Sequence, residues 1–138
     1  MIRVLLCHQH ALFRSSLRTY LEHDSGIRVL GEAGSGREAV MLADYYRPDI
    51  IVMDVKLVQP AGIAAARLIA SKLKSAGIVF VGVDGDEEYV TEAFKAGARG
   101  YVLAGSVPVE LADAIRIVAD GGNFVSIHLR SDGGHGTH

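Results

Sequence analysis

The chain has a single cysteine, Cys7, among 138 residues, which excludes an internal disulfide framework and a multi-cysteine metal site. It also lacks an excess of charge of either sign. Fourteen Lys and Arg stand against 16 Asp and Glu, for a formal net charge of −2, and this near-balance argues against a basic nucleic-acid-binding face. No stretch approaches the about 18 consecutive apolar residues that a membrane span needs. The opening MIRVLLCHQHALFR is no secretory signal either. His8, Gln9 and His10 interrupt its apolar run, and no small-residue cleavage site follows. These absences predict a soluble cytoplasmic domain with no membrane association.

What remains is apolar and orderly. Hydrophobic residues make up 49% of the chain, too much for a disordered segment. A chain of this length buries about 68% of its unfolded surface, enough for one good core and too little for two. Short runs rich in β-branched residues lie at Ile2–Cys7, Ile27–Ala33, Asp49–Met53, Gly77–Val83 and Gly100–Leu103. Each is nearly continuously apolar, as strands covered on both faces are.

Longer stretches with helical spacing lie between these runs. Phe13, Leu17 and Leu21 form one stripe, Ile63, Ala66, Ala70 and Leu73 another. Val90, Ala93, Phe94 and Gly97 form a third, and Leu111, Ile115 and Val118 a fourth. Pro48, Gly77, Gly97, Gly100 and Gly121-Gly122 punctuate the boundaries. Five strands alternating with five helices predict an α/β fold: a doubly wound, five-stranded parallel sheet with right-handed crossovers. Residues 1–124 form the domain, and 125–138 read as a tail or the start of a linker. Leu129–His138 holds three Gly and two His, a composition that suits a solvated tail better than a metal site.

In an open α/β sheet, ligands bind beyond the carboxyl ends of the strands. The residues there are His8-Gln9-His10, Asp54, Gly82 to Asp84, and Ala104-Gly105. Asp54 stands out as a carboxylate ending a four-residue apolar run. It suits a nucleophile or metal ligand, and equally a cap for the following loop. Cys7, His8 and His10 raise a soft-metal alternative, but adjacent strand residues point to opposite faces. Asp84, Asp86, Glu87 and Glu88 read as the acidic start of the fourth helix, where the helix dipole favours them.

At this point the sequence resembles a known family. RPDIIVMDVKLVQPAGIAAARLI resembles the phosphoacceptor segment of bacterial response-regulator receiver domains. HALFRSSLRTYLEHDSGIRVLGEAGSGREAVMLA and EEYVTEAFKAGARGYVLAGSVPVELADAIRIVADGG are similar to the first and last thirds of the NarL/LuxR subfamily. The resemblance covers residues 2–124 and implies the flavodoxin-like, CheY-like strand order 2-1-3-4-5.

The resemblance also implies a mechanism. A strand-ending aspartate takes a phosphoryl group from a phosphohistidine, and Mg²⁺ neutralises charge. Carried over, the acceptor is Asp54, and the carbonyl ligand would come from Lys56. The acidic pair falls on His8 and Gln9, the hydroxyl position on Gly82, the lysine position on Ala104 and the switch aromatic on Tyr101. The acceptor and the Gln59-Pro60-Ala61-Gly62 turn are kept, while the four assisting side chains are absent. A second reading of Tyr101 is a half-buried strand tyrosine packed on Phe94 or Val90.

The expectation is therefore an atypical, non-enzymatic receiver that acts as a signalling interaction or dimerisation module, with no cofactor and no Mg²⁺ site. Its expected partners are a sensor histidine kinase or another signalling protein, and a second copy of itself. Self-association would use the first and fifth helices, or the fourth helix, fifth strand and fifth helix. Val107, Val109, Ile117 and Val118 supply more apolar surface there than one stripe needs. DNA contact is expected only through a helix-turn-helix output domain that this segment does not include. Two alternatives stay open: a receiver still phosphorylated on Asp54 by a partner kinase, and a small-ligand-sensing flavodoxin-like module. Cys7-His8-Gln9-His10 contains no glycine, which gives the second alternative little support.

Overall fold

Every strand is joined to the next through a helical crossover or a longer return, so neighbouring strands run parallel. A computed structural model describes residues 1–83 and 87–126. In chain order the elements are β1 (Ile2–Cys7), α1 (Ala11–Glu22), β2 (Ile27–Ala33), α2 (Gly36–Tyr46), β3 (Ile50–Asp54) and α3 (Gly62–Lys72). They continue as β4 (Gly77–Gly82), α4 (Glu87–Lys95), β5 (Gly100–Leu103), a 3₁₀ turn at Ala104–Ser106, α5 (Val107–Ala119) and β6 (Phe124–Val125). Among the described residues the sheet has six strands in the order β2-β1-β3-β4-β5-β6, all paired in parallel.

The five-stranded expectation is corrected by that sixth strand. Two residues carry no periodicity, so β6 left no signal in the sequence. Two boundaries shift as well: Asp49 precedes β3, and Val83 follows β4. Glu87 and Glu88 fill the first turn of α4, as expected. Asp84, Asp86 and the Leu129–His138 tail lie outside the described residues.

Strand alternation divides the interior in two. Ile51 and Met53 of β3 face a cluster with Ala39 and Ala43 of α2 and Ala65, Ala66 and Ile69 of α3. Ile50 and Val52 face the opposite cluster, with Leu17 and Leu21 of α1 and Leu111, Ile115 and Val118 of α5. Helices thus cover both faces, which explains why β3 and β4 are buried along their whole length. Val107 and Val118 belong to this core, whereas Val109 and Ile117 are exposed. The first two therefore supply no dimer surface, a correction that follows from α5 lying flat on the sheet.

The loop after β3 hangs from the start of α2. The Gly36 and Arg37 amides donate to the Val58 and Gln59 carbonyls at 2.7 and 2.8 Å. A side chain at Gly36 would overlap the Pro60 carbonyl and lie 2.7 Å from its nitrogen, so only glycine allows this approach. Ser35 caps the helix by accepting from the Glu38 amide, and Glu38 accepts from Gly34 in return.

At the other sheet edge the chain is clasped. The Phe124 and Ser126 amides donate to the Arg99 and Tyr101 carbonyls. The buried Ser126 hydroxyl accepts from the Leu103 amide at 2.8 Å and donates to Glu110 Oε1 at 2.6 Å. The boundary read at residue 124 thus falls inside folded structure, which extends through Ser126. Ser126→Ala should lower the unfolding free energy by about 1–3 kcal/mol, because the Leu103 amide loses its acceptor. Urea denaturation measures this, and an unchanged midpoint would show that the clasp adds no net stability.

Candidate functional site

Sheet register brings the candidate residues to one edge. Cys7 pairs with Met53, so His8 and Asp54 are the next residues on adjacent strands. Asp54 pairs with Val81, and Gly82 with Leu103, which sets Gly82 and Ala104 at the same carboxyl edge. Gln9 is exposed beside them. Lys56 follows on the loop, where its side chain is exposed and its amide donates to Asp54 Oδ1 at 3.1 Å. Asp54 therefore does cap its own loop, with Oδ1, while Oδ2 is turned elsewhere.

That second oxygen faces His8. His8 Nε2 lies 3.5 Å from Asp54 Oδ2, and each residue is 8% exposed. The separation exceeds a good hydrogen bond, so the contact is electrostatic. The His10 amide donates to His8 Nδ1 at 3.1 Å. Nδ1 must then carry a lone pair, and a neutral ring holds its hydrogen on Nε2, facing the carboxylate. Burial pushes the His8 pKa below its ordinary value. Asp54 opposes that shift, and His10 and Arg14 reinforce it. The ring also packs against Phe13, with centroids 4.7 Å apart.

Arg14 carries a positioning role that the sequence did not reveal. Its guanidinium donates to the His8 carbonyl at 2.6 Å and to Glu32 Oε1 at 2.8 Å. Glu32 accepts in turn from Arg18 at 2.7 Å, and the two arginines hold its carboxyl below the usual range. An arginine in the first turn of a helix looks solvated in sequence, and only the fold turns it back toward the loop. Cys7 points into the opposite core from Phe13, and burial pushes its thiol pKa up. Among the described residues no three His, Cys, Asp or Glu side chains cluster to hold a metal ion.

Tyr101 settles differently from the half-buried reading. It is fully buried, with its ring 6.5 Å from that of Phe80, and it shares a cluster with Val90 and Phe94. A methyl at Gly82 would overlap its hydroxyl and lie 3.0 Å from Cζ. The missing side chain at Gly82 is thus the slot that the tyrosine fills. Ala104 opens the 3₁₀ turn and offers only a methyl group at the lysine position.

Comparison with known proteins agrees with the fold. Residues 4–116 match the family model described as response regulator receiver domain. The transcriptional regulatory protein YxjL of Bacillus subtilis is 42% identical over 120 residues, covering 87% of this chain and 55% of the relative. LiaR of the same organism is 39% identical over 121 residues, with 88% and 57% covered. The chain thus spans a little over half the length of these curated relatives. The crystal structure of a LuxR-family two-component response regulator from Aurantimonas superposes with a TM-score of 0.91 at 34% identity, covering 95% of this chain and 94% of that one.

Two outcomes follow from the packing and the charge. Gly82→Ala should destabilise the fold by about 1–3 kcal/mol through overpacking, and by less in a Tyr101→Phe background that lacks the obstructing oxygen. The four variants form a double-mutant cycle readable by urea denaturation, and zero coupling would contradict the slot. For His8 the folded pKa is depressed, so the unfolded chain takes up the proton first. Stability should fall as pH drops below about 6.5, the ordinary histidine value. The loss between neutral and mildly acid pH should be smaller in His8→Gln, and ¹⁵N NMR should find the hydrogen on Nε2 at neutral pH.

Proposed function

The chain belongs to the response-regulator receiver domains, with relatives of LuxR/NarL type, and we propose that it is a signalling interaction module no longer dependent on Mg²⁺-assisted phosphorylation of Asp54. The observation that carries this reading is the imidazole of His8 against Asp54 Oδ2. In the family that position carries an acidic residue.

The donor set does not suit Mg²⁺. Mg²⁺ needs oxygen ligands in near-octahedral order, whereas a buried imidazole nitrogen favours zinc or copper. His8 and Gln9 in place of two carboxylates also lower the formal site charge from about −3 to about −1. Each such charge 4 Å from a unit positive charge is worth about 4 kcal/mol at an effective dielectric of about 20. Gly82 and Ala104 leave phosphoryl oxygens without a hydroxyl or ammonium donor. Receiver domains are signalling modules, and nothing in this donor set suggests turnover.

On this reading the domain works by contact, with a histidine kinase or another signalling protein, or with a second copy. The exposed Leu12 of α1 and Val109 and Ile117 of α5 suit self-association. In the full-length protein it would control a DNA-binding output domain, as the names of its transcriptional-regulator relatives suggest. One observation favours a second reading, in which a partner kinase still phosphorylates Asp54. Asp54 remains at the sheet edge, with no backbone amide bonded to Oδ2 among the described residues.

Titration with Mg²⁺ and beryllofluoride, followed by amide NMR, tests the first reading, and intact mass after incubation with a partner kinase tests the second. No saturable shifts are expected around Asp54, and acetyl phosphate should leave the intact mass unchanged. His8→Asp with Gln9→Asp should gain Mg²⁺ binding. Adding Gly82→Thr to that pair would collide with Tyr101 and is best avoided. Saturable shifts at Asp54 in the unaltered chain would overturn the proposal.

A further inference from the structure

We propose that the seam between α2 and α3 is a docking surface for an acidic amphipathic helix of a partner protein. The inference rests on the interaction-module reading and names its surface and the chemistry of its partner.

An open groove of about 660 Å³ runs between the two helices, lined by Arg37, Val40, Met41, Gln59, Pro60 and Leu68. Met41 is 58% exposed and Leu68 47%, with Val58 and Tyr45 exposed nearby. These side chains are not needed by the core. The buried stripes of α2 and α3 consist of small residues and Ile69, which bring the helices close and leave the larger apolar groups outside. Met41 and Tyr45 stand four residues apart along α2, so apolar surface continues along one helix face. An α2 of 11 residues spans about 16 Å, room for roughly three turns of a bound helix.

Charge selects the partner. Arg37 stands at one end of the seam, and Arg47 and Lys72 line its other end with Asp44. Asp44 is already paired with Arg47 at 3.3 Å. Among the described residues no carboxylate pairs with Arg37 or Lys72. The seam is therefore cationic on a chain whose net charge is −2. A two-fold dimer through this face would set like charges against each other, which disfavours a second copy. A short amphipathic helix laid along the seam would cover Met41 and Leu68 and set its acidic flanks against Arg37 and Lys72, and such helix-in-groove recognition is common.

The floor of the groove is the loop after Asp54. Gln59 and Pro60 line it, and the Val58 and Gln59 carbonyls are held by the α2 amides of Gly36 and Arg37. A helix seated there would rest on the segment that leads out of the acceptor strand, with no metal required.

The test uses three probes with the isotope-labelled chain: a 15-residue helix with a Leu stripe flanked by Glu, the same helix with Lys for Glu, and anionic phospholipid vesicles. The acidic helix should give saturable shifts at Met41, Leu68 and Lys72, and these should weaken as salt rises and shortens the Debye length. Arg37→Glu with Lys72→Glu should weaken that binding at least tenfold and favour the Lys helix. Met41→Ser should weaken it with no change of charge preference. Equal binding of both helices, binding of vesicles alone, self-association through the seam, or no seam shifts would each overturn the proposal. Acidic-helix shifts on another face would remove this site and leave the interaction-module reading standing. Mg²⁺ and beryllofluoride shifts at Asp54 would sink that reading whatever the seam does.

Discussion

The parallel register of β1 on β3 governs the functional edge. Because Cys7 lies opposite Met53, the first residues beyond the β1–β3 ladder are His8 and Asp54. The two backbone positions cannot move apart without breaking a central pair of the sheet. The position is buried, so the identity of residue 8 decides what Asp54 experiences. A carboxylate there would add repulsion that only a cation relieves. An imidazole whose Nδ1 accepts from the His10 amide presents an N–H dipole to the carboxylate instead. Arg14 fixes the backbone of that turn from α1, so the ring orientation depends on the loop as a whole.

A second consequence of register is the relation between Gly82 and Tyr101. Gly82 pairs with Leu103 and Phe80 with Tyr101, so Tyr101 sits on the adjacent strand, two residues back from the edge. With no side chain at position 82 its ring and hydroxyl reach into the slot and are fully enclosed. The cost of an alternative rotamer is an empty slot, since close-packed interiors do not tolerate voids of that size cheaply. The proposed loss of phosphorylation dependence and this seating of Tyr101 thus point the same way. At both places the chain's own atoms meet at close range, His8 against Asp54 and Tyr101 in the space beside Gly82.

Much of this was legible in the sequence. The five principal strands were visible as apolar β-branched runs, most clearly β3 and β4, which are covered on both faces and have no polar alternation to obscure them. Asp54 was visible because it ends such a run. The family resemblance then located His8, Gln9, Gly82 and Ala104. What was not legible depends on contacts between distant segments. β6 is too short to show a period, and Ser126 gains its role only from Leu103 and Glu110. Val107 and Val118 looked like surplus surface, yet α5 turns both inward. Nothing in the sequence singled out Arg14, whose bonds to the His8 carbonyl and Glu32 exist only in the fold. The depth of Tyr101 followed from an absence at position 82, and a glycine in a strand does not announce which neighbour will occupy its space.

The same loop geometry joins the edge to the outer surface. Gly36 exists as glycine because the chain after Asp54 must pass against the start of α2, close enough that its carbonyls take the first helix amides. Those amides are the ones a helix leaves unpaired, so the loop is held by bonds that α2 would otherwise give to water. Displacing the loop therefore uncaps α2, and moving α2 pulls on the loop. A partner seated between α2 and α3 would bear on both at once. The domain thus has a mechanical route between its acceptor strand and its surface, through two hydrogen bonds and one close glycine contact, that needs no metal ion.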